Sequence, residues 1–205
     1  SAVGSLREEF RPGDMVVPDQ LIDRTRANRP STFFGEGVVA HVGFADPFSE
    51  AMRQGAVAAA RAAGASVHDG GTYVVIEGPA FGTRAESELY RQWGASIVGM
   101  TALPEAKLAR EAELPYAVLA AVTDYDSWHA GHDAVDAATV FAVLRKNVEA
   151  SREAVRGLAR TLPDVTACPT TMALDAALVT QPEAIGADAR ARLAPILRRR
   201  LGDEG

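Results

Sequence analysis

Short apolar runs without polar alternation recur along the chain and predict strands that are buried on both faces. Residues 72–76, 95–98 and 117–122 are the clearest runs, and residues 15–17 and 38–41 are shorter ones. The first residues read as the end of a further strand, and residues 19–22 as an extension of the strand at 15–17. Strands covered on both faces are typical of parallel sheets with helices on either side.

Segments with helical features lie between and after these runs. They predict helices over residues 50–63, 104–113, 137–162 and 190–201, and another that ends at residue 93. Gly64 and Gly94 follow two of these segments, as expected for residues that end helices. The alternation of strands and helices predicts a three-layer α/β fold with a parallel sheet.

Residues 23–36 read as one long loop that contains Arg24, Arg26, Pro30 and Gly35. A loop of this length within a compact domain is usually either functional or disordered.

The candidate chemistry follows the run at 117–122. Thr123, Asp124, Tyr125 and Asp126 come directly after it, and α/β sheets bind ligands beyond the carboxyl ends of their strands. The carboxyl ends of the strands predicted at 72–76, 95–98 and 117–122 are expected to bring Phe81, residues 100–101 and residues 124–126 to one edge of the sheet. An Asp-rich turn is also common in loop and capping chemistry, so a structural role stays open.

A metal-binding or regulatory module is a second interpretation of this region. It would use the side chains of Asp124, Asp126, His129, His132 and Asp133. Their spacing matches no strong metal signature, so we expect a polar loop and no metal.

Composition narrows the classes of partner. The 205 residues are 47% hydrophobic, and 21 basic against 27 acidic residues give a net charge of −6. This balance argues against a general nucleic-acid or acidic-membrane binder. No apolar run approaches the roughly 20 residues that a membrane-spanning helix needs. Cys168 is the one cysteine, which favours a reducing compartment, and we expect a cytoplasmic protein.

Four segments, which follow one another along the chain in the order of a known family, carry a family resemblance. GSLREEFRPGD at 4–14, IEGPAFGTRAES at 76–87, GMTALPEAKLARE at 99–111 and TDYDSWH at 123–129 resemble the trimeric purine nucleoside phosphorylase family. The likeness is greatest to its 5′-methylthioadenosine phosphorylase branch and runs from Ser1 to about Leu162. It implies a phosphorylase/hydrolase-like fold with a central mixed, largely parallel sheet.

The resemblance also bears on domain organisation. It implies a single nucleoside phosphorylase domain over residues 1–205, with residues 163–205 as a C-terminal helical extension. The chain has no initial Met and opens like the middle of a protein, so we expect it to lack the N-terminal part of the family, including a first phosphate loop.

The resemblance implies a role for each matching residue. Ser1, Ala2 and Thr101 match residues that contact phosphate, Met100 lies under the ribose, and Phe81 lines the base pocket. Residues 123–126, namely Thr123, Asp124, Tyr125 and Asp126, match the purine-recognition loop. His41 matches a histidine that a neighbouring subunit contributes, which implies a homotrimer. Ala137, Val140 and Phe141 match the helix over the 5′ substituent, and Gly82 and Ala137 match positions linked to specificity.

The implied reaction is phosphorolysis of 5′-methylthioadenosine, with inorganic phosphate as co-substrate and no cofactor. Adenine presents a donor at N6 and an acceptor at N7, so one aspartate must be ionised and the other protonated. We assign Asp124 to N7 and Asp126 to N6. A 6-oxopurine phosphorylase and a non-catalytic nucleoside-binding fragment are the alternatives. An Asn would suit a 6-oxopurine better than this pair of aspartates.

Overall fold

The computed structural model describes residues 1–26, 28–129 and 137–202. Seven strands form one sheet in the order β3-β5-β6-β1-β7-β2-β4. Their bounds are β1 Ala2–Ser5, β2 Met15–Val17, β3 Gln20–Arg24, β4 Val67–Asp69, β5 Thr72–Ile76, β6 Ile97–Gly99 and β7 Ala120–Tyr125. Within the described residues, four neighbouring pairs are parallel, and β1–β6 and β2–β7 are antiparallel. The predicted mixed, largely parallel sheet is therefore confirmed.

One expectation about strand direction was wrong. β5 and β6 are parallel, but β1 lies between β6 and β7 and is antiparallel to the first and parallel to the second. β7 therefore runs opposite to β5 and β6, so their carboxyl ends do not share one edge. A buried apolar run indicates burial but not strand direction. The sequence pattern also did not predict that β1 lies between β6 and β7.

Several predicted bounds also differ. β7 continues to Tyr125, so Asp124 belongs to the strand and not to a turn after it. Residues 38–41 form isolated bridges from Val38 and Ala40 and no strand. Residues 20–24 form the separate strand β3, which pairs with β5. β4 was not predicted, because its three residues, Val67–Asp69, contain one apolar side chain and form no apolar run.

Among the described residues there are five α-helices: α1 Glu50–Ala62, α2 Arg84–Gln92, α3 Ala102–Glu111, α4 Ala137–Arg160 and α5 Ala187–Leu201. Short 3-10 helices span Pro169–Met172 and Pro182–Ala184. Ser49 caps α1 by accepting from the backbone N of Met52. Thr83 and Glu86 form a reciprocal capping box at the start of α2. Such caps satisfy backbone donors that have no partner within the helix.

The buried side chains form a central core and smaller clusters. The central core includes Tyr73, Ile97, Leu103 and Val122, from β5, β6, α3 and β7. A second cluster joins the loop before α1 to the C-terminal segment and consists of Phe34, Val38, Leu174, Ala177, Ile185, Leu193 and Leu197. The C-terminal segment thus holds the loop of residues 34–42 in place. Among the described helices, none is long and apolar enough to cross a bilayer.

Candidate active site

A cavity of about 250 Å³ lies over the middle of the sheet. Strands β1, β6 and β7, the loops after β5 and β6, and α4 all contribute to it. The lining residues are Ala2, Val3, Gly4, Ile76, Phe81, Gly82, Val98, Gly99, Met100, Thr101, Thr123, Asp124, Asp126 and Phe141. The three predicted stretches therefore meet at one cavity because β1 connects them, and not because their strands end together.

Two carboxylates supply the acidic groups of this cavity. Burial raises the pKa of Asp124 to about 6, and the neighbouring Asp126 adds to the rise, whereas the Thr123 hydroxyl opposes it. Burial also raises the pKa of Asp126, and the facing Ser87 hydroxyl opposes that rise. Close carboxylates in a desolvated site favour a state in which one of them is protonated. The pair can therefore offer a hydrogen-bond donor and an acceptor side by side.

The hydroxyl of Thr123 fixes one side of Asp124. Thr123 Oγ1 lies 2.7 Å from Asp124 Oδ2 and 3.2 Å from the Val3 carbonyl oxygen. A hydroxyl carries one hydrogen, so it can donate to only one of these two acceptors at a time. Asp124 Oδ1 is buried and has no hydrogen-bond partner within the described residues. An unpaired buried oxygen beside a cavity is suited to bind a polar atom of a ligand.

Gly4 makes room for both carboxylates. A Cβ at this position would lie 3.1 Å from Asp124 Oδ1, 3.1 Å from Asp126 Cβ and 3.4 Å from Val98 Cγ1. The sequence reasoning did not single out this residue for the site. The available signal was a glycine inside a strand, which often marks a close approach of another group.

A set of hydroxyls lies at the other end of β1. Ser1 Oγ is 2.7 Å from Thr101 Oγ1 and 3.2 Å from Tyr73 Oη. Thr101 precedes α3 but makes no side-chain cap to it, so its hydroxyl stays available to the cavity. Ser1 itself lies beside the lining residues, whereas Ala2 and Thr101 are among them. The structure thus brings together the three residues predicted to contact phosphate.

Apolar groups form the remaining walls. Phe81 and Phe141 are 44% and 57% exposed, so both present aromatic surface that a ligand can cover. Met100 and Gly82 line the cavity beside them. The side chains of Ala137 and Val140 lie outside the described residues, as do His132 and Asp133.

Two predicted substrate contacts are not at the cavity of this chain. Side chains alternate along a strand, so Tyr125 projects away from the face that carries Asp124. Its hydroxyl donates to the Glu8 carbonyl oxygen, and its ring stacks on His129 at 4.7 Å. His41 is exposed and away from the cavity, and its backbone N donates to the Ala177 carbonyl oxygen. A role for His41 therefore requires a second subunit.

A second cavity, of about 570 Å³, lies near α1 and the C-terminal segment. Its lining includes Phe44, Phe48, Arg110 and Cys168. Its carboxylates, Asp46 and Glu50, are exposed, so it does not offer the buried acidic pair of the first cavity. Within residues 1–26, 28–129 and 137–202, no group of three or more His, Cys, Asp or Glu side chains is placed to hold a metal ion.

Comparison with known proteins assigns the family. The family model described as the phosphorylase superfamily matches residues 1–160, and the chain belongs to this superfamily. Within it, relatives with curated names include S-methyl-5′-thioadenosine phosphorylases. The one from Geobacter sulfurreducens is 52% identical over 193 residues, which are 94% of this chain and 68% of the relative. The one from Chloroflexus aurantiacus is 55% identical over 199 residues, 97% of this chain and 69% of the relative.

Solved structures agree with this assignment. A methylthioadenosine phosphorylase from an Antarctic soil metagenomic library is 45% identical, with a TM-score of 0.86 over 96% of this chain and 69% of that chain. The Schistosoma mansoni methylthioadenosine phosphorylase in complex with adenine is 34% identical, with a TM-score of 0.81 over 87% of this chain and 71% of that chain. The resemblance inferred from the sequence is confirmed.

Proposed function

We propose that this protein is a pentosyltransferase that cleaves the N-glycosidic bond of 5′-methylthioadenosine with phosphate. The products are adenine and 5-methylthioribose 1-phosphate. The observation that carries the proposal is the pair Asp124 and Asp126, two buried carboxylates with raised pKa values at one end of an otherwise largely apolar cavity. The names of the curated relatives support the same substrate.

The two carboxylates read the purine and assist its departure. Protonated Asp124 donates to N7, and ionised Asp126 accepts from the N6 amine. As the glycosidic bond breaks, negative charge builds on the purine, and the Asp124 proton neutralises it at N7. Thr123 donates to Asp124 Oδ2 in this state, which leaves Oδ1 to carry the proton towards the base. A 6-oxopurine would place an acceptor beside ionised Asp126 and is disfavoured.

The phosphate nucleophile is assigned to the end of the cavity that carries Ser1, Ala2 and Thr101. Two hydroxyls 2.7 Å apart and an adjacent backbone provide neutral donors for an anion. Met100 lies beside Thr101 and is assigned to the face of the ribose. Attack on the anomeric carbon then proceeds from the side opposite the purine, which places the phosphate and Asp124 on opposite sides of the bond that breaks.

The 5′ substituent is assigned to the region near Phe141. An aromatic wall binds a methylthio group well, and it offers no partner to a hydroxyl. A buried polar group without a partner costs about 1–3 kcal/mol, so methylthio is favoured over hydroxyl. Gly82 and Ala137 remain the positions predicted to set this specificity. We also propose a cytoplasmic location and a homotrimer in which His41 reaches a neighbouring site.

The test is adenine release by protein expressed from its complete reading frame. We expect release from 5′-methylthioadenosine that requires phosphate and matches the phosphate consumed. Adenine release at the same rate without phosphate would instead identify a hydrolase. Turnover of inosine but not of 5′-methylthioadenosine would identify a 6-oxopurine phosphorylase, and binding without turnover would identify a nucleoside-binding protein.

A further inference from the structure

Arg29 lies in the long loop after β3, and its guanidinium reaches two loops of the cavity. Nη1 donates to the carbonyl oxygens of Met100 and Leu103, both at 2.6 Å. Nη2 and Nε donate to the backbone oxygen and the carboxylate of Glu77, at 2.5 and 3.0 Å. The Arg29 side chain is only 24% exposed. Four donors of one side chain are thus directed at two separate segments of the chain.

The first of these segments, residues 100–103, comprises the turn after β6 and the first two residues of α3. Thr101 makes no side-chain cap, and Leu103 has the extended angles φ −118° and ψ 139° inside the helix bounds. The usual capping contact therefore does not fix this turn from within. Two of its carbonyl oxygens are held by Arg29 from outside. The same turn carries Met100 and Thr101, the residues assigned to ribose and phosphate.

The second segment begins at Glu77 and continues to Phe81 and Gly82 at the base end of the cavity. The two segments touch, because a Cβ at Gly78 would lie 2.5 Å from Met100 Sδ. The base-binding segment has a further anchor, since the Thr83–Glu86 capping box fixes the start of α2 just beyond it. Loss of Arg29 should therefore release the turn of residues 100–103 more than the base-binding segment.

We propose that Arg29 is a positioning residue that sets the turn carrying Met100 and Thr101 at a fixed place relative to the purine. This inference rests on the function proposed above. Phosphorolysis requires the nucleophile and the base to be held at a defined separation across the sugar. A displacement of about 1 Å in such an arrangement can cost about 100-fold in rate.

The test compares Arg29→Lys and Arg29→Ala with the unchanged protein, each expressed from the complete reading frame. Lys keeps the charge but cannot bridge several carbonyl oxygens in a fixed plane. We expect kcat with 5′-methylthioadenosine to fall about 10- to 100-fold and the KM for phosphate to rise. The dissociation constant for adenine should stay within about threefold, because Gly4 lies on β1, Asp124 lies on β7 and Asp126 directly follows β7.

Arg26→Lys and Arg26→Ala are the matched controls. Arg26 lies on the same loop and is exposed, and its backbone N, not its side chain, donates to the Glu77 carboxylate. We expect both variants to keep the parent kinetics. Added guanidinium should restore part of the rate of Arg29→Ala, and ethylammonium should not, because only the former reproduces the planar donors.

Several outcomes overturn the proposal. Parent kinetics in Arg29→Lys would show that the bridging geometry is not needed. If kcat falls, the KM for phosphate rises and adenine affinity falls all by the same factor, the role of Arg29 is a general structural one. The same conclusion would follow if even Arg29→Lys failed to fold. The function proposed above is tested separately by the unchanged protein in the same assay: if that protein does not release adenine, the function itself is wrong.

Discussion

The surroundings of Asp124 are costly for a charged group. The carboxylate is desolvated, faces Asp126, and has one oxygen without a hydrogen-bond partner in the described part of the chain. Such a residue reduces stability at neutral pH and is retained where it serves a ligand. The Thr123 hydroxyl recovers part of the cost.

Asp124→Asn should therefore stabilise the protein near neutral pH. The folded-state pKa of about 6 is above the ordinary carboxyl pKa of 3.8, so the folded state binds the proton more tightly. The free energy of unfolding contributed by this group falls as pH rises from about 4 to about 6. We expect the variant to gain about 1–3 kcal/mol at pH 7 and little at pH 4. Urea unfolding at both pH values measures this, and a gain that is equal at both would refute the charge argument.

Gly4 tests whether the space between the carboxylates matters. Gly4→Ala would place a methyl group 3.1 Å from Asp124 Oδ1 and from Asp126 Cβ, so one of these groups must move. We expect adenine affinity to fall about 10-fold or more, at a stability cost of about 1–3 kcal/mol. Gly186→Ala is the control, because a Cβ there meets nothing within 4 Å. Equal adenine affinity in both variants would contradict this role for Gly4.

At the scale of elements, α2 connects stability to the base-binding segment. Thr83→Ala removes the capping box in which Thr83 and Glu86 satisfy each other's backbone donors. We expect a loss of about 1 kcal/mol in the free energy of unfolding. Phe81 and Gly82 lie just before the cap, so the KM for nucleoside should rise while kcat changes less. A KM equal to that of the parent would mean that the cap does not hold this segment.

Some of the strands could be predicted from the sequence and some features of the sheet could not. The buried strands at 72–76 and within 117–122 were found, because continuous apolar runs between turn residues report burial directly. The direction of β7 and the central place of β1 were not found, since both depend on long-range pairing that local pattern does not encode. The carboxylate pair was found from its residue types, whereas the outward position of Tyr125 followed only once β7 was seen to include it.

Some residues of the site were likewise predicted from the sequence and others were not. Phe81, Met100, Thr101, Asp124 and Asp126 were named from the strand ends and from the resemblance, and they do meet at one cavity. Gly4 and Arg29 were not named for the site, because their importance lies in distances to segments far along the chain. A glycine in a strand and an arginine in a loop are each too common to identify a role alone.

At the scale of the whole molecule, His41 gives a test of assembly. It is exposed, and the C-terminal cluster that contains Leu174, Ala177 and Leu197 holds its loop in place. If His41 completes a neighbouring site, light scattering should give three times the protomer mass, and His41→Ala should raise the KM for nucleoside. A monomer that retains full activity would contradict the proposed homotrimer.

The central claim is that the site reads a purine through a protonated Asp124 and an ionised Asp126. At about pH 7.5, free Asp124 with its raised pKa is mostly ionised, so it must take up a proton when N7 of the ligand binds. The measurement is calorimetric titration of 5′-methylthioadenosine without phosphate, in buffers of different ionisation enthalpy. We expect uptake of about one proton on binding, and none in Asp124→Asn. Binding by the unchanged protein with no proton uptake would contradict the account.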